Sequence, residues 1–263
     1  MSDDDARSLF VMDGDRFVPT QDALSPWGSD RLHGGPVLGL VTHAALQDAD
    51  GASLQLARLT VDLFRAVPNA PLQARVDVLR AGRRLRLTQV SVWADEREVT
   101  RATALMLKPS EGTHRHLHDG HPDGPEGLET ESLIGAHRAH KHPPGFHFAV
   151  ETRRPERGDG HRAIWMRTPM PLIAGVDTDA TVAAAILADF NNAVSSIAGY
   201  EDGRAVGHIN TDTTLYLERP PVGQWSCLES DIQSERDGIS ISQVLHYDTH
   251  GRFGRSVQAR LES

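Results

Sequence analysis

One cysteine, Cys227, is all that the 263 residues contain, so an intramolecular disulfide and the cysteine-rich zinc patterns are both excluded. An excess of positive charge is missing too. The formal net charge is −9, which argues against a nucleic-acid or anionic-membrane footprint and makes any phosphate site a local one. No apolar run approaches the length of about 18 residues that a membrane span needs. The opening stretch, MSDDDARSLF, has neither the basic start nor the apolar centre of a secretory leader. These absences lead to the expectation of a soluble, cytoplasmic protein. Signature motifs are also lacking. There is no Gly-x-Ser-x-Gly elbow, no His-Glu-x-x-His, no phosphate loop and no Gly-x-Gly-x-x-Gly after a strand, which demotes serine hydrolases, zincins, NTPases and dinucleotide-binding folds.

What is present is a pattern of strands around two helices. A hydrophobic content of 39% is ample for a core. Residues 8–20 read as two short strands around Asp13-Gly14, a tight-hairpin dipeptide. After the loop SPWGSDRLHGGP, Pro36 suits the first position of a helix, and Val37, Leu40, Val41 and Ala44 give that helix an apolar face over residues 35–48, with a stop at Gly51. Four strand patterns follow between residues 54 and 108. One helix followed by a run of strands predicts an antiparallel sheet with the helix on one face, an α+β arrangement rather than alternating βαβ units.

The segment PSEGTHRHLHDGHPDGPEGLET has almost no apolar residues and reads as a linker, which divides the chain into 1–109, 110–143 and 144–263. The earlier order then returns as a hairpin, a helix over 178–198 and strands over 206–262. The last strands of the halves align without gaps. Leu85, Leu87, Gln89, Val90, Trp93 and Arg101 match Ile239, Ile241, Gln243, Val244, Tyr247 and Arg255 at a constant offset of 154. In both copies the apolar alternation slips by one between the second and fourth of these positions, as a bulge would cause. The chain therefore carries two copies of one unit, paired edge to edge or face to face.

The second helix holds the anomaly. Val182, Ile186, Ala193 and Ile197 form one stripe at helical spacing, and Asp189 falls on it where a leucine is expected. A buried carboxylate needs hydrogen-bond partners, a raised pKa or a task. Four other features bear on function. Nine of the fourteen histidines (His114, His116, His118, His121, His137, His140, His142, His147 and His161) lie in or beside the linker, with no carboxylate at helical ligand spacing and no scaffold, so no metal site is assigned. Arg80, Arg83, Arg84 and Arg86 surround the turn at Gly82 and fit either a phosphate seat or a solvated turn. Cys227 lies in a strand and reads as a small core residue. His33-Gly34-Gly35 precedes the first helix. Its glycines either let a ligand reach amides at the positive end of a helix dipole or serve a tight loop.

Taken together, the two copies, the Gly-Gly before the first helix, the Asp on the second and a late Val-Gln resemble the double-hotdog acyl-CoA thioesterases of the bacterial acyl-CoA thioesterase II type. The stretches TVDLFRAVP, VDVLRAGRRLRLTQVSVWADEREV and ATALMLK resemble the family's first-half strands and its Arg-x-Gly turn. LADFNNAVSS, GHINTDTTLYLERPPVGQW and GRSVQARL resemble the catalytic half. The resemblance covers nearly everything outside the linker. It implies two tandem hotdog domains, each an antiparallel sheet wrapped around one central helix, acting on an acyl-CoA substrate without a cofactor.

The family holds its attacking water with an Asp, a hydroxyl residue and a Gln. Carried over by position, the resemblance implies that these are Asp189, Asn210 and Gln258, with Asn210 a departure from the hydroxyl and Thr211 its neighbour. His33-Gly34-Gly35-Pro36 is more similar to the His-Gly-Gly of phenylacetyl-CoA type hotdog thioesterases, where a glycine amide polarises the thioester carbonyl. His33, Gly34, Gly35 and Thr211 are thus the expected substrate-binding residues. At the 154 offset Gln258 matches Ala104, so one composite site per chain is expected. Strand alternation makes Val257 and Leu261 the apolar face of the last strand, with Gln258 on the other. Two rival readings are a hotdog enoyl-CoA hydratase and a non-catalytic acyl-CoA or acyl-lipid binding protein. The hydratase pattern Asp-x-Asn-Pro-x-His is missing at Asp189-Phe190-Asn191-Asn192-Ala193-Val194. Exposed outer sheet faces suggest a homodimer or higher homo-oligomer.

Overall fold

A computed structural model describes residues 7–49, 53–110, 122–131, 133, 142–155, 163–197 and 208–262. Of the nine histidines near the linker, only His142 and His147 fall within the described residues, as does no part of the predicted stop at Gly51.

In the first half β1 (Phe10–Asp13) and β2 (Arg16–Pro19) form the predicted hairpin, with Gly14 at φ +62, a left-handed value that glycine adopts without strain. Two short strands, β3 (Leu24–Ser25) and β4 (Gly28–Leu32), lead into α1 (Gly34–Asp48). The helix begins earlier than Pro36 because the His33 side chain caps it by accepting from the Gly35 amide. Pro36 then occupies another first-turn position, where a missing amide still costs nothing. Strands β5 (Gln55–Asp62), β6 (Leu72–Ala81), β7 (Leu85–Ala94) and β8 (Arg97–Leu107) follow.

The second half adds β9 (Thr130–Glu131), the single turn α2 (Phe146–Ala149), β10 (Glu151–Arg153) and β11 (Ala163–Arg167). Next come α3 (Ala180–Ala188) and α4 (Asn191–Ile197), then β12 (His208–Asn210) and β13 (Asp212–Leu217). The last strands are β14 (Ser226–Arg236), β15 (Ile239–Asp248) and β16 (Gly251–Glu262). Asp237 and Gly238, both at positive φ, turn β14 into β15 as a two-residue loop. The predicted single helix over 178–198 is instead two segments broken at Asp189-Phe190.

Among the described residues fourteen strands make one antiparallel sheet, in which β5 and β13 join the halves. At that junction Thr60 pairs with Thr214, its own counterpart at the 154 offset, and Thr214 Oγ1 donates to Thr60 Oγ1 at 3.2 Å. The repeat therefore meets itself across a pseudo-twofold axis. The β7–β8 and β15–β16 ladders keep the same offset, down to a bulge between Val92 and Trp93 and between His246 and Tyr247. That bulge lies beyond the apolar slip at Leu87 to Val90. There β7 pairs with β8 without interruption, and the irregularity lies on the other flank: β6 shifts register between Val78 and Arg80, opposite Thr88 and Leu87, and β14 between Ser230 and Ile232, opposite Val244 and Gln243.

Helices α1 and α3 pack on each other inside the sheet, which is why α1 is buried on most sides, from Gly35 to Thr42. Close approach depends on glycine. A Cβ on Gly39 would stand 2.6 Å from Ile186 Cγ1, and one on Gly35 would stand 2.8 Å from the Ile186 carbonyl oxygen. Cys227 is buried against Trp165 and Tyr247, in a small core apart from the main one.

Candidate active site

Asp189 ends α3 as its C-cap and is 6% exposed, on an otherwise apolar surface. Its carboxylate lies over the first turn of α1. A Cβ on Gly34 would stand 2.5 Å from Oδ1 and 2.7 Å from Oδ2, so any larger residue at position 34 would displace it. Two side chains hold the carboxylate. Asn210 Nδ2 donates to Oδ1 at 2.7 Å, and His33 Nδ1 stands 2.9 Å from Oδ2. His33 comes from the first half and Asn210 from the second, so the site is shared between the copies.

The His33 ring nitrogen is contested. Nδ1 also lies 3.1 Å from the Gly35 amide, from which it can accept only when it carries no proton. With the proton on Nδ1, it donates to Asp189 and the Gly35 amide is released to another acceptor at the positive end of α1. One proton position therefore couples the carboxylate to an amide.

Gln258 is fully buried. Its Nε2 donates to Thr213 Oγ1 at 2.8 Å and approaches the Asp189 main-chain oxygen at 3.4 Å, while Oε1 accepts no hydrogen bond from the protein. The contact with a carbonyl oxygen fixes which end of the amide is nitrogen. The predicted face of β16 is reversed. Ser256, Gln258 and Arg260 point inward and Leu261 is 53% exposed, because the interior at this end is polar. Asn191 of α4 anchors it by donating to Ser256 Oγ at 3.0 Å and accepting from Ser242 Oγ at 2.6 Å.

Thr211 is not brought to the site; it is exposed and donates to the Ala259 carbonyl at 3.1 Å. Thr213 is there instead, 1% exposed. The register of the edge explains this. Asn210 pairs with Arg260 but Thr214 pairs with Val257, so one extra residue is inserted and both Asn210 and Thr213 can face inward. The inserted residue is the signal that regular alternation overlooked.

His147, which by sequence pattern belongs to the border of the linker, also lies close to the site. It is 3% exposed, packs on Phe148 and His142, and has no partner for either ring nitrogen. Burial, aided by the charges of His33 and His142, pushes its pKa down to about 4. It is a neutral ring in the wall behind His33. Among the described residues no group of His, Cys, Asp or Glu is placed to hold a metal ion. Of the arginine cluster, Arg86 is committed to Asp48 at the end of α1, at 2.9 and 2.6 Å, while Arg80, Arg83 and Arg84 are exposed.

Two copies of a sheet wrapped on a helix, with the Asp189 carboxylate of one over the first helical turn of the other, define a double hotdog. The family model described as the acyl-CoA thioesterase N-terminal domain matches residues 23–107, and that of the acyl-CoA thioesterase C-terminal domain matches residues 117–261. The chain belongs to this acyl-CoA thioesterase family and is a thioesterase enzyme. Among solved structures, a protein of Novosphingobium aromaticivorans is 22% identical with a TM-score of 0.74, covering 98% of this chain and 100% of that one. A hot dog fold protein of Alicyclobacillus acidocaldarius is 17% identical with a TM-score of 0.72, covering 100% and 98%. The acyl-CoA thioesterase II TesB2 of Mycobacterium marinum is 16% identical with a TM-score of 0.65, covering 88% of each chain. At these identities the likeness is one of fold. A search of curated protein sequences gave no match. No helix among the described residues is long and apolar enough to cross a membrane.

Proposed function

We propose that the chain hydrolyses acyl-CoA thioesters with a water activated by Asp189 and held by Asn210 and Gln258. The observation that carries this reading is the buried Asp189 carboxylate, clamped between Asn210 and His33 over the start of α1. Asp189 takes a proton as the water oxygen bonds to the carbonyl carbon. The carbonyl oxygen becomes an oxyanion, facing amides at the start of α1 that act in a dry, positively polarised setting. Collapse of this intermediate breaks the carbon–sulfur bond, and the coenzyme A sulfur leaves with the proton that Asp189 had taken. His33, with its proton on Nδ1, orients Asp189 and leaves the Gly35 amide available to the oxyanion. Gln258 Oε1 is the buried acceptor suited to the water's second hydrogen.

Coenzyme A release from short, medium, long and aryl acyl-CoAs tests the reading. The expected result is turnover that Asp189→Asn lowers by about 10²-fold or more. Tight binding with no release above that variant would instead make the chain an acyl-CoA binding protein.

A further inference from the structure

Among the described residues of the second half, Arg260 is a buried cation without a counter-charge in contact. Arg260 is 2% exposed. Its Nη2 donates to Ser240 Oγ at 2.6 Å and its Nη1 to Asn192 Oδ1 at 3.1 Å, both neutral acceptors, while Nε has no partner. Among the described residues no carboxylate comes within ion-pair distance of it, and Glu235 on β14 acts only through its field. The first half shows the alternative. Met106 stands at the position equivalent to Arg260, and Arg86, equivalent to Ser240, closes on the Asp48 carboxylate. Burying an unpaired guanidinium costs several kcal/mol, and an apolar side chain of similar size would be the stabler choice.

The position of Arg260 relates it to the reaction. It lies two residues from Gln258 on the same inward face, about 7 Å along the strand. It is the cross-strand partner of Asn210, which donates to Asp189, and it holds Asn192, three residues beyond Asp189. The phosphates and nucleotide of coenzyme A are too bulky to reach a residue this deep. The anion that fits is at the far end of the acyl group, where the Nε and Nη hydrogens left unused form a fork suited to a carboxylate.

The geometry points to Arg260 as a specificity residue that receives the terminal carboxylate of a short dicarboxylic acyl group, an inference that rests on the thioesterase reading above. The substrate class is then the monothioesters of dicarboxylic acids.

The test compares kcat/KM for chain-matched pairs: succinyl-CoA with butyryl-CoA, glutaryl-CoA with pentanoyl-CoA, and adipoyl-CoA with hexanoyl-CoA. Expected is a preference of at least roughly tenfold for one or more of the carboxylated esters, expressed mainly in KM. Arg260→Met, which installs the first-half residue, should bring that ratio to about one or below, and Arg260→Lys should retain part of it. A wild-type ratio near one for all three pairs overturns the inference by itself, whether or not the variants fold. An unchanged ratio in Arg260→Met overturns it too. Either result leaves hydrolysis standing. No release from any of the six esters, or from longer and aryl acyl-CoAs, above the Asp189→Asn level would overturn the thioesterase reading as well.

Discussion

His33 Nδ1 and Asp189 Oδ2 are 2.9 Å apart, and they belong to different copies of the repeat. With its proton on Nδ1, His33 donates to Asp189 and gives up the Gly35 amide that it otherwise accepts from, so the capping residue of one helix and the C-cap of another are coupled through one hydrogen. This contact ties the halves together at the point where the hydrolysis is proposed to occur. Replacing His33 by Phe keeps the stacking against Phe146 and Phe190 but removes the nitrogen. The expected outcome is a drop of about tenfold or more in kcat with the fold retained. Circular dichroism alongside coenzyme A release checks it.

Gly34→Ala tests the approach of α1 to the carboxylate. The new methyl would overlap Asp189 Oδ1, Oδ2 and Cγ at 2.5 to 2.8 Å, and the carboxylate is held on both sides and cannot turn away freely. Activity should fall by roughly the same 10²-fold as on loss of the base, and stability by about 1–3 kcal/mol. Adding Asp189→Gly to this variant should return most of the stability and none of the activity, a non-additivity that urea titration measures.

Thr213 and Gln258 form a buried pair, 2.8 Å between Oγ1 and Nε2. Thr213→Val leaves the Gln258 amide without its acceptor, and Gln258→Leu leaves the hydroxyl without its donor. Each should destabilise by about 1–3 kcal/mol, and the double variant by clearly less than the sum. Only the variants lacking Gln258 should lose turnover by a large factor, because Thr213 acts through it. Equal kinetic losses in both single variants would place Thr213 on the substrate instead.

Two buried histidines contribute to the loss of stability in acid. Burial pushes His246 down to about 3, and burial with the nearby His33 and His142 charges pushes His147 down to about 4. In the unfolded chain both titrate near 6.5. Below that pH the unfolded state binds protons that the folded state refuses. Their contribution to stability is thus fully present above pH 6.5 and declines as pH falls toward 4, by up to about 1.4 kcal/mol per pH unit for each ring. His246→Val, the residue found at Val92 in the first half, should remove about half of that slope in urea unfolding between pH 6 and 4. An unchanged slope would contradict the assignment.

The hairpin at Gly14, the first helix, the strand order and the 154-residue repeat were legible because each leaves a local or periodic mark: a turn dipeptide, an apolar face, an alternation and its copy. Asp189 was legible as a carboxylate among apolar residues. Its role in ending α3 was not, since nothing in LADFNN separates a helix that continues from one that breaks and restarts. Alternation failed on β16 for a physical reason. It finds a buried face by its apolar residues, and here the buried face is Ser256, Gln258 and Arg260, made habitable by Asn191, Asn192, Ser240 and Ser242 from elements distant in sequence. The inserted residue at Thr211 likewise depends on pairing with β16, so Thr213 could not be chosen over Thr211 from spacing alone.

Hydrolysis as proposed depends above all on activation of the water by Asp189. The most direct measurement is the single-turnover rate of coenzyme A release, with enzyme in saturating excess over acyl-CoA, for the wild type and Asp189→Asn, the latter keeping the side-chain shape and an oxygen to accept from Asn210. Bound ester is expected in both, with a rate lower by about 10²-fold or more in Asp189→Asn. Release at the wild-type rate from the folded Asp189→Asn variant would contradict it.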